Sequence, residues 1–272
     1  MRQPHYALQG HQGEQPLHTA GDHHRDIAVY DTNELFGQKG RFRVLQFSGD
    51  AVQGAVDLDD PSRIVLEYPR AIVHLMELNR PAFETAFMIG LGVGTIARHF
   101  AGKRMIVAEL DGRVVDLCRT HFGFGFDLGD AADRVIVGDG RAVLAEQRAH
   151  SFDYVIVDAF TEQGTPRRLL SAAFFALARE KLHPRGMVVL NLIGRGHRDP
   201  LIGAAFATLR GAFAHAGAWA LAADGASGRF GVHNVLLAGS DRPIDFRPRR
   251  MAGFQPFVPA QGHVFAGRDD EE

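Results

Sequence analysis

One cysteine, Cys118, and three lysines, Lys39, Lys103 and Lys181, stand in a chain of 272 residues. A single cysteine excludes an internal disulfide and any metal site built from several thiolates. Cys118 falls at an apolar position of a predicted helix and reads as a small core residue. Arginine supplies nearly all of the 30 basic residues, a bias that carries no functional reading, and the formal charge is only −2. The chain therefore lacks the one-sided charge of a general nucleic-acid or membrane-surface binder. No apolar run is long enough to span a bilayer, the first residues lack the apolar core of a secretory signal, and a cytoplasmic protein is expected. There is no internal repeat. What the chain does have is 46% hydrophobic and 23% charged residues, which excludes disorder throughout and suits one sizeable domain with a small appendage.

Residues 1–25 carry His5, His11, His18, His23 and His24 without a hydrophobic period and read as a flexible tail; scattered histidines without spaced carboxylates or a scaffold are not expected to form a metal site, adventitious metal binding being the alternative. Short β-like runs at 27–30, 42–47 and 51–56 predict a small antiparallel domain over 26–62. From 63 to 240, helical and strand patterns alternate, with strands at 86–89, 105–108, 134–137, 152–157 and 187–192 and a final pair at 218–223 and 233–238. The fold class is α/β: a Rossmann-like, mostly parallel sheet with an antiparallel C-terminal edge. Residues 241–272, rich in proline and arginine, read as a surface-running tail.

The organising stretch is 86–111. An apolar strand turns through Gly90, Gly92 and Gly94 into a helix near Thr95, and a second strand ends on Glu109 and Asp111. Glycines admit a ligand where a Cβ would collide, and a carboxylate ending the second strand can accept both hydroxyls of a ribose. The dinucleotide fingerprint wants G-x-G-x-x-G facing a pyrophosphate, whereas this chain spells G-x-G-x-G, the form more usual for S-adenosylmethionine and its relatives. The alternative is a glycine turn that merely joins strand to helix.

Ligands of open α/β sheets bind beyond the carboxyl ends of the strands. Four features fall at such ends in succession: the glycines, Glu109, Asp139 in Gly138-Asp139-Gly140, and Asp158. Glu109 would hold the ribose, Asp139 would accept from an adenine amino group, and Asp158 would stand near the reacting centre. Each has a plainer alternative as turn or helix-cap chemistry. A sulfonium donor already activates its neighbouring carbon, so the protein must align a nucleophile, exclude water and, for an amine acceptor, help remove a proton.

Over roughly 26–240 the chain resembles, as a divergent member, the spermidine synthase family of aminopropyltransferases, which carry a small N-terminal β domain before a methyltransferase-like Rossmann domain. The resemblance is carried by Phe42-Arg43-Val44-Leu45, Gln53, Leu66-Glu67-Tyr68-Pro69-Arg70 with His74 beyond, Val137-Gly138-Asp139-Gly140-Arg141 and Tyr154-Val155-Ile156-Val157-Asp158. It implies that Gln53, Gly90, Gly92, Gly94, Glu109, Asp139 and Gly140 contact the donor nucleoside, that Asp158 is the catalytic acid or base, that Tyr68 helps seat the acceptor, and that the protein is a homodimer or homotetramer. Departures from the family pattern are Val93 where an acid holds the donor's amine, Pro69-Arg70 after Tyr68, and Thr161 for a second aspartate, with Glu162 adjacent as a substitute. A dication needs carboxylates at both ends, and several are gone. Arg70 either clamps a carboxylate or is a solvated helix charge. His74 reads as a packed helix histidine, and Asn191 as either a polar support or a strand cap. These readings favour S-adenosylmethionine as donor and methyl transfer to a small non-diamine acceptor, without metal. The alternatives are aminopropyl transfer from decarboxylated S-adenosylmethionine and a nucleoside-binding module without turnover.

Overall fold

The computed structural model describes residues 17–22, 25–47, 51–125, 134–161, 164–221 and 233–265. Glu162, His5, His11, His23 and His24, most of the glycine-rich loop expected at 123–130, and the loop expected at 224–231 lie outside the described residues.

Four antiparallel strands, β1 (His18–Asp22), β2 (Arg25–Leu35), β3 (Gln38–Phe47) and β4 (Ala51–Asp57), form a sheet in sequence order. Successive side chains of a strand face opposite ways, and here both faces are used. Ile27, Val29, Leu45 and Val56 join the main core, while Tyr30, Phe42, Val44 and Ala55 close a small cluster with Val65. The tail expected through residue 25 is therefore corrected at its end: β1 lies inside it and pairs with β2 from His18↔Val29 to Asp22↔Arg25.

The second sheet has eight strands. They are β5 (Thr85–Ile89), β6 (Arg104–Glu109), β7 (Val135–Val137), β8 (Phe152–Val157), β9 (Leu182–Gly194), β10 (His215–Leu221), β11 (His233–Ser240) and β12 (Phe254–Pro256), in the order β12-β10-β11-β9-β8-β5-β6-β7. The five strands β7-β6-β5-β8-β9 run parallel, and β11, β10 and β12 are each antiparallel to their neighbours. Helices α1 (Glu67–Asn79), α2 (Thr95–His99) and α3 (Gly112–His121) cover one face, and α4 (Gly140–Ala145), α5 (Ala172–Lys181) and α6 (Pro200–Ala212) the other. Buried on both sides, β5 sends Ala86 and Met88 into the first layer and Phe87 and Ile89 into the second. That is why its sequence is a continuous apolar run rather than an alternating one.

Local chemistry agrees with these boundaries. Pro69 lies in the first turn of α1, where a missing N–H costs no helical bond, and the Ser171 hydroxyl caps α5 by accepting from Phe174 N–H at 3.2 Å. Two differences concern the ends of elements. Residues 183–186, expected as a turn, are part of β9 and mark a break in its register with β8. The C-terminal stretch expected to run over the surface instead buries Met251 and Phe254 and adds β12 to the sheet edge beside β10. From β5 the chain builds outward to β6 and β7, then returns to lay β8 on the other side of β5. The strand order reverses between β5 and β8, where the crevice of such a sheet opens.

Candidate active site

The turn leaving β5 has positive φ at Gly90 (95°), Gly92 (57°) and Gly94 (77°). At Gly90 a side chain would also run into the carbonyl oxygen of Asp158, and at Gly94 into the ring of Phe124. Both positions therefore need glycine twice over, for backbone conformation and for space. The turn is tied to its neighbours: Gly90 N–H donates to the Ala108 carbonyl at 2.8 Å and Asp158 N–H to the Ile89 carbonyl at 2.9 Å. The small sheet lies alongside. The Gln53 carbonyl sits beside Gly92, and the methyl groups of buried Val93 fill the space that a Cβ on Gly54 would take. From the opposite side, the Cys118 thiol of α3 donates to the Gly92 carbonyl at 2.7 Å. Burial holds that thiol protonated, with the Glu109 charge acting in the same direction.

Glu109 closes β6 with both carboxylate oxygens engaged. Oε2 accepts from Leu91 N–H at 2.8 Å and Oε1 from Asp111 N–H at 3.0 Å. Burial raises its pKa above the usual carboxylate value against the pull of these bonds. Each oxygen keeps a lone pair, which suits a ribose diol. At Asp139 the helix-cap alternative is realised, since Oδ1 accepts from Ala142 N–H at 2.9 Å at the start of α4, while Oδ2 pairs with Arg168 Nη2 at 2.7 Å. Gly140 packs against the Ile89 side chain.

Asp158 ends β8 on the face covered by α1. It accepts hydrogen bonds from the Tyr68 hydroxyl and, at Oδ1, from Asn191 Nδ2 at 2.8 Å. Burial pushes its pKa up to about 6, the two hydrogen bonds restrain that rise, and the Glu109 charge adds to it. Burial likewise raises the Tyr68 hydroxyl well above its ordinary value, so it donates rather than ionises. The arrangement is a proton acceptor of near-neutral affinity, oriented by two donors, at the switch point beside a glycine turn.

Other candidate residues lie apart from this cluster. Arg70 is exposed on α1, bonded to Glu67 Oε1 at 3.2 Å and to the Leu66 carbonyl at 3.3 Å. A helix turns 100° per residue, which sets Arg70 some 200° round α1 from Tyr68, so the solvated-charge alternative is the one adopted. Thr161 donates to the Gly164 carbonyl at 3.0 Å and closes a short turn. His74 is buried against the C-terminal segment and accepts from Arg247 N–H at 3.2 Å. Burial and the nearby Arg250 and Arg247 charges lower its pKa, which keeps it neutral. Asn191, fully buried, is a polar support rather than a strand cap. One residue the sequence reading missed is Asn234, whose Nδ2 donates to Asn191 Oδ1 at 2.9 Å. Only the β9–β11 register reveals it.

Residues 66–193 match the family model of the spermine/spermidine synthase domain. The polyamine aminopropyltransferase of Neisseria meningitidis is 28% identical over 158 residues, which is 57% of this chain and 59% of that protein. Polyamine aminopropyltransferase 2 of Pseudomonas aeruginosa is 30% identical over 181 residues, 63% of this chain and 49% of that protein. The chain thus spans less than two thirds of the length of either relative. The crystal structure of a probable spermidine synthase from Corynebacterium glutamicum superposes with a TM-score of 0.68 and 25% identity, covering 85% of this chain and 82% of that one.

Proposed function

We propose that this chain, a spermidine synthase-like protein, transfers an aminopropyl group from decarboxylated S-adenosylmethionine to a small amine acceptor. The observation that carries the reading is Asp158, held by Tyr68 and Asn191 at the β5–β8 switch point with a proton affinity near neutrality. An amine acceptor arrives protonated. Asp158 takes that proton, the freed lone pair attacks the carbon next to the sulfonium, the carbon–sulfur bond breaks, and sulfur leaves as a neutral thioether. The glycine turn, Gln53, Glu109, Asp139 and Gly140 would hold the nucleoside, and Tyr68 would orient Asp158 toward the acceptor. Glu162 remains a candidate for the acceptor's far end. A soluble cytoplasmic homodimer or homotetramer acting on small molecules accords with this reading.

Methyl transfer from S-adenosylmethionine, the reading favoured on sequence grounds, has less support. It rested on the carboxylates missing at Val93 and Thr161, with a carboxylate clamp by Arg70 as one option, and Arg70 is bonded to Glu67 on the exposed side of α1. The names of the two relatives described above also favour the aminopropyl alternative.

The test is to incubate purified protein with either donor and a panel of mono- and diamines, following release of the nucleoside product. Methylthioadenosine formed from the decarboxylated donor, lost by about 10²-fold or more in Asp158→Asn, is the expected result. Formation of S-adenosylhomocysteine from S-adenosylmethionine would replace this reading with methyl transfer.

A further inference from the structure

Across the carboxyl end of the sheet, on the α1 face, four polar side chains form one row from four elements: Tyr68 of α1, Asp158 at the end of β8, Asn191 of β9 and Asn234 of β11. The antiparallel register pairs Asn191 with Leu236 and Ile193 with Asn234, which makes Asn234 the diagonal neighbour of Asn191 on the same face. Asn191 is fully buried, and both ends of its amide are spent, Nδ2 on Asp158 and Oδ1 on Asn234.

An amide can face a carboxyl group in two ways. With its NH2 toward Asp158 it donates and favours the carboxylate. Turned over, its oxygen faces Asp158 and is satisfied only if Asp158 carries a proton. What selects between the two is the group on the far side of the amide. Asn234 points its NH2 there, at 2.9 Å; in that orientation it can meet only the oxygen of Asn191, and the network Asn234–Asn191–Asp158 then runs donor to acceptor in one direction.

We propose that Asn234 is a positioning residue that acts through Asn191: by donating to Asn191 Oδ1 it locks the amide with its NH2 toward Asp158 and so keeps Asp158 in its proton-accepting form. The proposal rests on Asp158 being the base of the proposed reaction. The other groups facing Asp158, Tyr68 from α1 and the Glu109 charge from β6, are left in place when Asn234 is changed.

The experiment is a carboxyl ¹³C NMR titration of protein carrying labelled aspartate, with the Asp158→Asn spectrum used to assign the Asp158 signal, and without substrate. In the unsubstituted protein the midpoint lies at about 6. Asn234→Leu and Asn234→Ala remove the donor, release Asn191 to turn over, and raise the midpoint by roughly one pH unit, a tenfold change in proton affinity of the size a hydrogen bond supplies. Asn234→Gln, which restores an NH2, brings the midpoint back. In the transfer assay the acid limb of kcat/KM moves by the same amount while KM for the donor nucleoside is unchanged. A midpoint unmoved in both Leu and Ala variants overturns the proposal, even if those variants are less stable. If the midpoint moves but no donor and amine are turned over, the relay stands and the reaction assigned to the site falls.

Discussion

Replacing Asp158 by asparagine is expected to make the protein more stable, and only above a certain pH. In the folded chain the Asp158 carboxyl titrates at about 6, against 3.8 for an ordinary aspartate. A folded state that binds a proton more tightly than the unfolded chain loses stability as pH rises between the two values. The sign is opposite to that of a salt-bridged aspartate. The carboxyl costs nothing below about pH 3, costs progressively more up to about pH 6, and carries its full penalty above pH 7. The difference of about two units corresponds to roughly 3 kcal/mol as an upper value. Asparagine keeps the neighbourhood satisfied, since its oxygen accepts from Asn191 and its NH2 can donate to a Tyr68 hydroxyl turned to accept. For 272 residues, an unfolding entropy of about 2.1 cal/mol/K per residue converts 3 kcal/mol into a melting-temperature gain of roughly 5 °C. The assay is differential scanning calorimetry of both proteins from pH 4 to pH 8.5, with activity measured in parallel. The gain should be about a fifth of its full value at pH 4 and reach a plateau above pH 7, while turnover is lost. A temperature difference independent of pH, or a loss of stability at pH 8, would refute the reasoning that burial of a charge dominates this site.

Gly90→Ala forces φ 95° on a residue with a Cβ and drives that Cβ into the Asp158 carbonyl; urea unfolding should show a loss of about 3 kcal/mol or more, and nucleoside binding should vanish with it. The Cys118 thiol, buried and held protonated, should react with a disulfide reagent only at the rate of unfolding, so that added urea accelerates labelling in step with the loss of native signal. Arg43 pairs with both oxygens of Asp31 at 2.7 and 2.9 Å and donates to the His121 carbonyl at 2.9 Å; a double-mutant cycle of Arg43→Ala and Asp31→Ala should give a coupling of about 1 kcal/mol, modest because both side chains are partly exposed. Tyr154→Phe leaves the Met76 carbonyl without its 2.8 Å donor and should cost about 1–2 kcal/mol in the same unfolding assay.

The β5–α2–β6 unit was legible because its signals are local: an apolar run, three glycines and a terminal acid lie within 26 residues. Strands β1 and β12 were not. His18–Asp22 and Phe254–Pro256 have no hydrophobic alternation, and edge strands held chiefly by backbone pairing need none; Pro256 is tolerated because it ends an edge strand. Of the candidate site residues, Asp158 is named as the acid ending a buried strand and Tyr68 by family resemblance, and the structure brings the two side chains together. Between the two readings of Arg70, carboxylate clamp or solvated helix charge, the helix period already chooses. Two positions apart on a helix means opposite sides, so a chain that turns Tyr68 toward Asp158 turns Arg70 away. Asn234 belongs to no motif. Its partner is 43 residues distant, and only the antiparallel register of β9 with β11 brings the two amides together.

Val93 and Gly54 meet across 39 positions of sequence, and Gly94 and Phe124 across 30, so the glycine turn takes its walls from segments made well before and well after it. The turn is therefore complete only when both of those segments are in place. Strands β5 and β6 can pair once a short stretch has collapsed, but the turn stays unsupported until β4 docks on one side and the end of α3 on the other. A fragment beginning at α1 would lack Gln53 and Gly54 beside the turn, together with the core side chains Ile27, Val29, Leu45 and Val56. The small sheet is thus one wall of the glycine turn, supplied from the same chain.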